Sequence, residues 1–533
     1  TFSIRFGVEA TTSLRASTGR LWPDREATHT TFTPKPLKHM ETLNRLLQLL
    51  SYDPQQPLLF TSGLFLVLML FFLLGYYLLQ MQRTARLAFV TLFSYYFFYK
   101  NSGLYFGLLA VVTITDFHLA RCIAQLRQAS PRKAKACLWL SLAVDLGLLA
   151  YFKYANFFGE TIAAIVRSNF QPWDIVLPVG ISFFTFKSIS YVADVYRGHI
   201  KPLSSLLDYA FHVSFFPVLL AGPIVRAADF LPQLHKKVTV SPEMFARGTF
   251  LIAMGLVKKA VVSDYISQNF VDRVFEMPSM FSGGEILLGL YGYCVQLYCD
   301  FSGYSDIAIG LALWLGFHIP DNFNAPFKAD SLSDFWRRWH ISLSTWIRDY
   351  IYIPLGGNRK GRWRAYLNQM VAMTLCGLWH GASLSFVLWG ALHGAGVCLH
   401  KWFQQVVFRH DRYYHPSGWR RVVAVLLTFH LVVLLWLPFR ADSLEKAWNM
   451  LHQMLTKFNL EVLPQVVWAY RYVFLLMGVT LVAHFLPRKA NRRAVKLLQR
   501  MGVLGCAIVL TLVIVLVIQV KGSQVLPFIY FQF

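Results

Sequence analysis

Apolar runs of about 20 residues, the length a helix needs to cross a bilayer, recur along the whole chain. The clearest occupy residues 58–79, 104–120, 137–157, 422–437 with its flanks, 472–485 and 503–520. Others lie between them, some broken by Gly, Pro or polar residues. Two broken stretches, LPVGISFFTFKSISYVADV (177–195) and FHVSFFPVLLAGPIVR (211–226), make poor lipid-facing spans and are expected inside protein or along a cavity, where irregular backbone at membrane depth is tolerated. Ten to thirteen helices are expected. Composition agrees, since 56% of the 533 residues are hydrophobic and 15% charged, against about 25% charged in a soluble protein. The chain reads as an all-α polytopic membrane protein with a single membrane domain over 40–533 and no second, soluble domain.

A formal net charge of +24 would suggest nucleic acid on a soluble protein. Here the basic residues cluster in short loops between spans, in 83–86, 121–135 and 488–500. That is the pattern of cytoplasmic loops against anionic lipid, so the expected partner is membrane lipid and not nucleic acid. Loop charge also places the C-terminus outside. Residues 1–38 are polar, rich in Thr and Arg, and precede the first methionine, Met40. They are expected to be a disordered or non-native leader (1–39), partly because a basic leader fits poorly on the outside. The seven cysteines lie mostly in or beside apolar runs with no CxxC pair, so small buried hydrophobes are expected rather than disulfides or a metal site.

Chemistry concentrates between Cys299 and Gly394. Asp300, Asp306, Asp321, Asn322 and Asn324 lie in or beside an apolar segment, where carboxylates are costly and usually face a bundle interior or a water-filled cavity. Singly, each is most simply a structural hydrogen-bonding group; the cluster is harder to dismiss. In SLSDFWRRWHISLSTWIRDYIYIPLGG (331–357), Ser331 and Asp334 have helix-start spacing. Trp336, Trp339, Leu343, Trp346 and Tyr350 then follow at steps of three and four, with Arg337, Ile341, Ser344 and Arg348 on another face. One amphipathic helix at the interface is expected: either an anchor, or a basic mouth with Arg337, Arg338 and the loop 359–364 for an anionic, phosphate-bearing substrate. MVAMTLCGLWHGASLSFVLWGALHG (370–394) places His380 and His393 in a membrane segment whose Gly377/Gly381 and Gly390/Gly394 are four apart, spacing that permits close helix packing. A buried His can be satisfied by a backbone carbonyl; it can also take and return a proton near neutral pH. No HExxH, GxSxG or Walker loop competes.

QLYCDFSGYSDIAIG (296–310), DNFNAPFKADSLSDFWRRWHISLSTWIRDYIYIPLGGNRKG (321–361) and CGLWHGASLSFVLWGALHG (376–394) together resemble the membrane-bound O-acyltransferases, and within them the bacterial alginate O-acetyltransferase branch. PVGISFFTFKSISYVADVYRG (178–198), FFPVLLAGPIVR (215–226), LPFRADSLEKAW (437–448) and the terminal PFIYFQF (527–533) fit as well. One departure is Cys299, where an aromatic residue is expected.

The resemblance implies a multi-helix fold in the bacterial cytoplasmic membrane enclosing a tunnel, with His380 and His340 as the signature histidines. It also implies acetyl-CoA as donor substrate, no bound cofactor or metal, and an extracytoplasmic acetyltransferase partner or polysaccharide as acceptor. The expected mechanism has His380 as general base, with a covalent acetyl-histidine as an alternative, and His340 positioning an acyl or acceptor group with Asn322 or Ser342. Asp334, Trp336, Arg337, Arg338, Trp339, Trp379 and Asp306 are the expected substrate and tunnel residues. Two alternatives share the buried polar residues: a D-alanyl-type transferase using a carrier-protein thioester, and a transporter of a polysaccharide precursor.

Overall fold

A computed structural model describes residues 38–409, 414–520 and 527–528. Nearly all of the expected leader (1–39), and all but the first two residues of the terminal PFIYFQF, lie outside these. The helix Lys38–Leu50 belongs to a separate small unit ending at Ser51; the second unit spans Tyr52–Phe533. The described residues are helical with no strand.

Each clear apolar run forms a helix: Gly63–Leu78, Phe106–Ala129, Pro131–Leu149 continued by Ala155–Val166, Gly418–Leu435, Arg471–Phe485 and Arg488–Val520. Among the described residues, four helices are long and apolar enough to cross a membrane, and a fifth if the bent pair Leu463–Ala469 and Arg471–Phe485 counts as one span. The ten to thirteen helices expected from the sequence include buried and polar ones that a count by length and hydropathy leaves out. The physical reason is visible in Gly283–Trp314, a 32-residue helix that is buried along most of its length and carries Gln296, Asp300, Ser302 and Ser305. A helix surrounded by protein can carry polar groups that a lipid-facing span cannot.

Glycine sets the two tightest helix contacts. Pro242–Leu256 packs on Gly283–Trp314 with Gly248 over Gly310 and Gly255 over Gly303; a Cβ on Gly255 would lie 2.5 Å from the Gly303 carbonyl oxygen. The Arg362–His380 and Leu384–Trp402 helices form a hairpin in which Gly377 meets Gly390, and a Cβ on Gly390 would lie 2.3 Å from the Met373 carbonyl oxygen. The expected close packing is thus present, made by one glycine of each pair. Gly390→Ala should lower the melting temperature of the detergent-solubilised protein, at a cost of about 1–3 kcal/mol for forced overpacking. Gly107→Ala, whose Cβ would meet nothing within 4 Å, should leave it unchanged or raise it.

The broken segments sit inside the protein, as expected. Ile181–Arg197 is buried over almost its whole length, and Lys187 donates to the Val213 carbonyl at 2.9 Å. The next segment runs as a helix Leu206–Ser214, a short 3-10 turn Phe216–Val218 and irregular chain through Gly222, with 211–225 buried.

The stretch 331–357 departs from the single amphipathic helix expected. It folds as Leu332–Trp336, a break, Ile341–Ile347 and a π-turn Arg348–Tyr352. The Ser331 hydroxyl does cap the first piece, accepting from the Asp334 N–H at 3.2 Å. Steps of three and four fit a continuous helix, so the pattern cannot reveal the break. What produces it is His340, whose φ of 43° is left-handed. The tryptophans are correspondingly not an interfacial belt: Trp336, Trp339 and Trp346 are all buried.

Candidate active site

His380 is the last residue of its helix, where Gly381 turns extended at φ −159°. Helix C-termini leave carbonyls without intrahelical partners. Here they are met from another element: the Lys153 ammonium donates to the carbonyls of Trp379 at 2.6 Å and His380 at 3.1 Å, and the Tyr154 hydroxyl donates to that of Leu378 at 3.0 Å. Lys153 and Tyr154 lie in the π-turn Ala150–Tyr154, a local feature frequent at functional sites. The His380 ring is enclosed by Trp379, Trp389 and Phe439 at centroid distances of 4.9, 5.1 and 5.4 Å. Water is largely excluded, so charge placed nearby acts through a low dielectric.

His340 reaches the same place from the break. Its ring centroid lies 6.5 Å from that of His380 and 4.6 Å from that of Phe301. Left-handed backbone costs a β-carbon residue about 1–2 kcal/mol, and Asn322 holds it. The Asn322 carbonyl accepts the Ile341 N–H at 3.0 Å. Its side-chain Oδ1 accepts the Ser342 N–H at 3.2 Å and the Ser342 hydroxyl at 2.7 Å. A backbone N–H can only donate, so the amide orientation is set by the network. His340 Nδ1, 3.2 Å from the same Oδ1, is therefore the protonated nitrogen, and the ring's lone pair is on Nε2. Ser342 also accepts the Ile224 N–H at 2.9 Å, tying the GPIVR segment to the site. Asn322 Nδ2 donates to Ser305 at 3.3 Å.

The other residues singled out in the sequence divide. Trp379 packs beside both histidines, 5.9 Å from His340 and 4.9 Å from His380. Trp336 donates its indole N–H to His393 Nδ1 at 3.3 Å. Trp339 packs on Phe335 and Trp436 at 5.5 and 5.2 Å, one layer out. Asp334 binds Arg338 at 2.7 Å and Arg337 at 3.4 Å, orienting both guanidiniums. Asp306 is engaged by Lys258 at 2.6 Å, not by either histidine.

Two cavities flank the histidine pair. The first, 510 Å³, is lined by Trp336, Arg337, Arg348, Cys376, His400 and Lys401 among others, with no carboxylate among the described residues of its lining. The loop 359–364, expected beside it, does not line it. The second, 530 Å³, is lined by Ser383, Phe386 and Phe439 next to His380, and by a polar set from 259–300 and 440–442. Along Leu384–Trp402, Phe386 faces the second cavity and Val397 the first. Eleven residues at 1.5 Å each separate them by about 16 Å, with the histidines between. Sequence reasoning placed Arg348 on the basic face with Arg337 but missed Lys153, His400 and Lys401. The only signal for Lys153 was a lone lysine inside an apolar run.

Two rings able to exchange protons, set in an aromatic enclosure with a cationic cavity on one side, can deprotonate a hydroxyl beside a bound phosphate-bearing donor. Comparison with known proteins points to O-acyl transfer. The family described as MBOAT, membrane-bound O-acyltransferase, matches residues 56–437. A probable alginate O-acetylase AlgI of Pseudomonas aeruginosa is 41% identical over 402 residues, 74% of this chain and 75% of that protein. That of Pseudomonas putida is 36% identical over 501 residues, 89% of this chain and 100% of that protein. A peptidoglycan O-acetyltransferase of Helicobacter pylori is 35% identical over 429 residues, covering 74% of this chain and 80% of that protein.

Proposed function

The chain belongs to the membrane-bound O-acyltransferase family, a multi-pass membrane O-acyltransferase, and from that premise we propose that it moves an acetyl group from acetyl-CoA to a hydroxyl on the far side of a bacterial cytoplasmic membrane. The acceptor is an envelope polysaccharide, in keeping with the names its relatives carry, or an extracytoplasmic acetyltransferase that passes the group on. One observation carries this reading: two histidines from separate segments meet in an aromatic enclosure 6.5 Å apart, near a cavity lined with cations and a second, separate cavity beside Phe386 and Phe439.

The donor's phosphates sit in the first cavity near Arg337, Arg348 and Lys401, and its thioester reaches toward the histidines. The acceptor hydroxyl enters from the second cavity. His380 removes its proton, the alkoxide oxygen attacks the thioester carbon, the C–S bond breaks, and the thiolate leaves with the proton returned by the His380 imidazolium. His340, its tautomer set by Asn322, presents the Nε2 lone pair and positions the acceptor by receiving a hydrogen bond from a donor group on it. Lys153 holds the end of the His380 helix through its carbonyls.

Arg337→Ala combined with Lys401→Ala should raise the KM for acetyl-CoA by about tenfold, which is about 1.4 kcal/mol of lost ground-state binding, with kcat changed far less. The same variant should hardly alter the KM for acetylpantetheine, which lacks the nucleotide phosphates. Equal KM increases for both donors, or none for either, would remove the phosphate role from this cavity. A carrier-protein thioester as the true donor would show as turnover absent with acetyl-CoA and present with the carrier.

A further inference from the structure

The second cavity has a chemistry of its own, and the inference drawn from it rests on the acyl-transfer reading above. Its lining contains five carboxylates, Asp264, Asp272, Glu276, Asp300 and Asp442, against two cations, Lys259 and Arg440. The cations are already committed. Lys259 binds Asp264 at 2.8 Å and Asp300 at 2.6 Å, and donates to the Pro527 carbonyl at 3.2 Å. Arg440 binds Asp272 at 2.9 Å. Glu276 and Asp442 lie at the exposed end, where Lys446, outside the lining, binds Asp442 at 2.7 Å. The lining is thus formally net negative, opposite in sign to the donor cavity about 16 Å away along the same helix.

A second observation points to what such a lining binds. Gln296 lines this cavity and is 7% exposed. Its amide orientation is set by a short chain: Ser267 donates its hydroxyl to Asp272 at 2.6 Å, so the Ser267 oxygen accepts from Gln296 Nε2 at 2.9 Å. Gln296 Oε1 is left buried with no hydrogen-bond partner among the described residues. A buried acceptor of this kind carries a desolvation penalty until a donor reaches it. Carboxylates and an amide oxygen are all acceptors, and the lining also holds two aromatic rings, Phe386 and Phe439, packed edge to face at 5.0 Å. Acceptor groups together with aromatic surface match a ligand that presents hydroxyl donors and an apolar C–H face.

We propose that this cavity is the acceptor subsite and that it selects an uncharged, hydroxyl-rich sugar unit over an anionic one, with Gln296 and Asp272 receiving its hydroxyls and the Glu276/Asp442 rim repelling carboxylates. A uronate brings a negative charge with every residue into a lining that already carries excess negative charge. The same field keeps the anionic donor on its own side of the histidines.

The test is a binding measurement that needs no turnover, so its failure is distinguishable from failure of the transfer reading. Full-length protein in detergent is titrated calorimetrically with a β-1,4-linked glucose tetramer and with the corresponding glucuronate tetramer. The expected result is tighter binding of the neutral tetramer by about tenfold or more, with the difference shrinking as salt is raised. Gln296→Leu should weaken the neutral tetramer by about tenfold, the loss of one buried hydrogen bond. Glu276→Gln combined with Asp442→Asn, at exposed positions away from the packed core, should bring the two affinities together. Equal or tighter binding of the glucuronate tetramer overturns the proposal, as does binding of neither, or binding of the neutral tetramer that Gln296→Leu leaves unchanged.

Discussion

Replacing His380 with alanine is expected to reduce acyl transfer by about 10²–10⁴-fold, the range a positioned general base contributes, while the protein still inserts and folds. The loss is chemical rather than structural because the backbone at His380 is held from outside its own side chain. Lys153 and Tyr154 bind the last three carbonyls of the helix, and those bonds do not involve the imidazole. His380→Asn, closer in volume, should be equally inactive, which separates loss of the base from a cavity left among Trp379, Trp389 and Phe439. Turnover measured as free CoA released, with melting temperature on the same preparations, checks both halves. Near-normal turnover in either variant would remove His380 from the chemistry.

The second large effect is expected at Asn322. Asn322→Leu removes the acceptor of two N–H or O–H groups of Ser342 and of His340 Nδ1–H. Each buried donor left without a partner costs about 1–3 kcal/mol, and the His340 tautomer is no longer fixed. Turnover should fall by about a hundredfold or more, with a lower melting temperature. Asn322→Asp keeps an oxygen at the same place and should retain more activity than Asn322→Leu. His340→Gly supplies a further separation. It relieves the left-handed backbone, worth about 1 kcal/mol, so it should be more stable than His340→Ala and no more active. If Asn322→Leu retained full turnover, the network would be only a fold-holding device.

The apolar runs and their order were legible because twenty-residue hydropathy is imposed by the bilayer itself. The histidines were legible as family motifs, and Asn322 from a polar cluster at membrane depth. Other parts of the site were not. The break at His340 is hidden because Trp336, Trp339, Leu343 and Trp346 satisfy helical spacing on both sides of it, and the deciding contact comes from Asn322, eighteen positions earlier. Lys153 sits in an apolar run that reads as a plain span; only the π-turn that aims it at the His380 helix shows its use. Lys401 and Arg348, and on the other side Gln296, Asp272 and Arg440, come together only when distant helices pack. Asp306 shows the converse: conspicuous in the sequence, it serves to bind Lys258.

The most direct test of the whole account uses sealed vesicles containing the purified protein in one orientation. Labelled acetyl-CoA is supplied only on the face that opens to the Arg337/Lys401 cavity, and hydroxyl acceptor only on the other. Labelled product is expected on the acceptor face, free CoA on the donor face in matching amount, and neither with His380→Ala. Product on the donor face, or transfer that persists in His380→Ala, would contradict it.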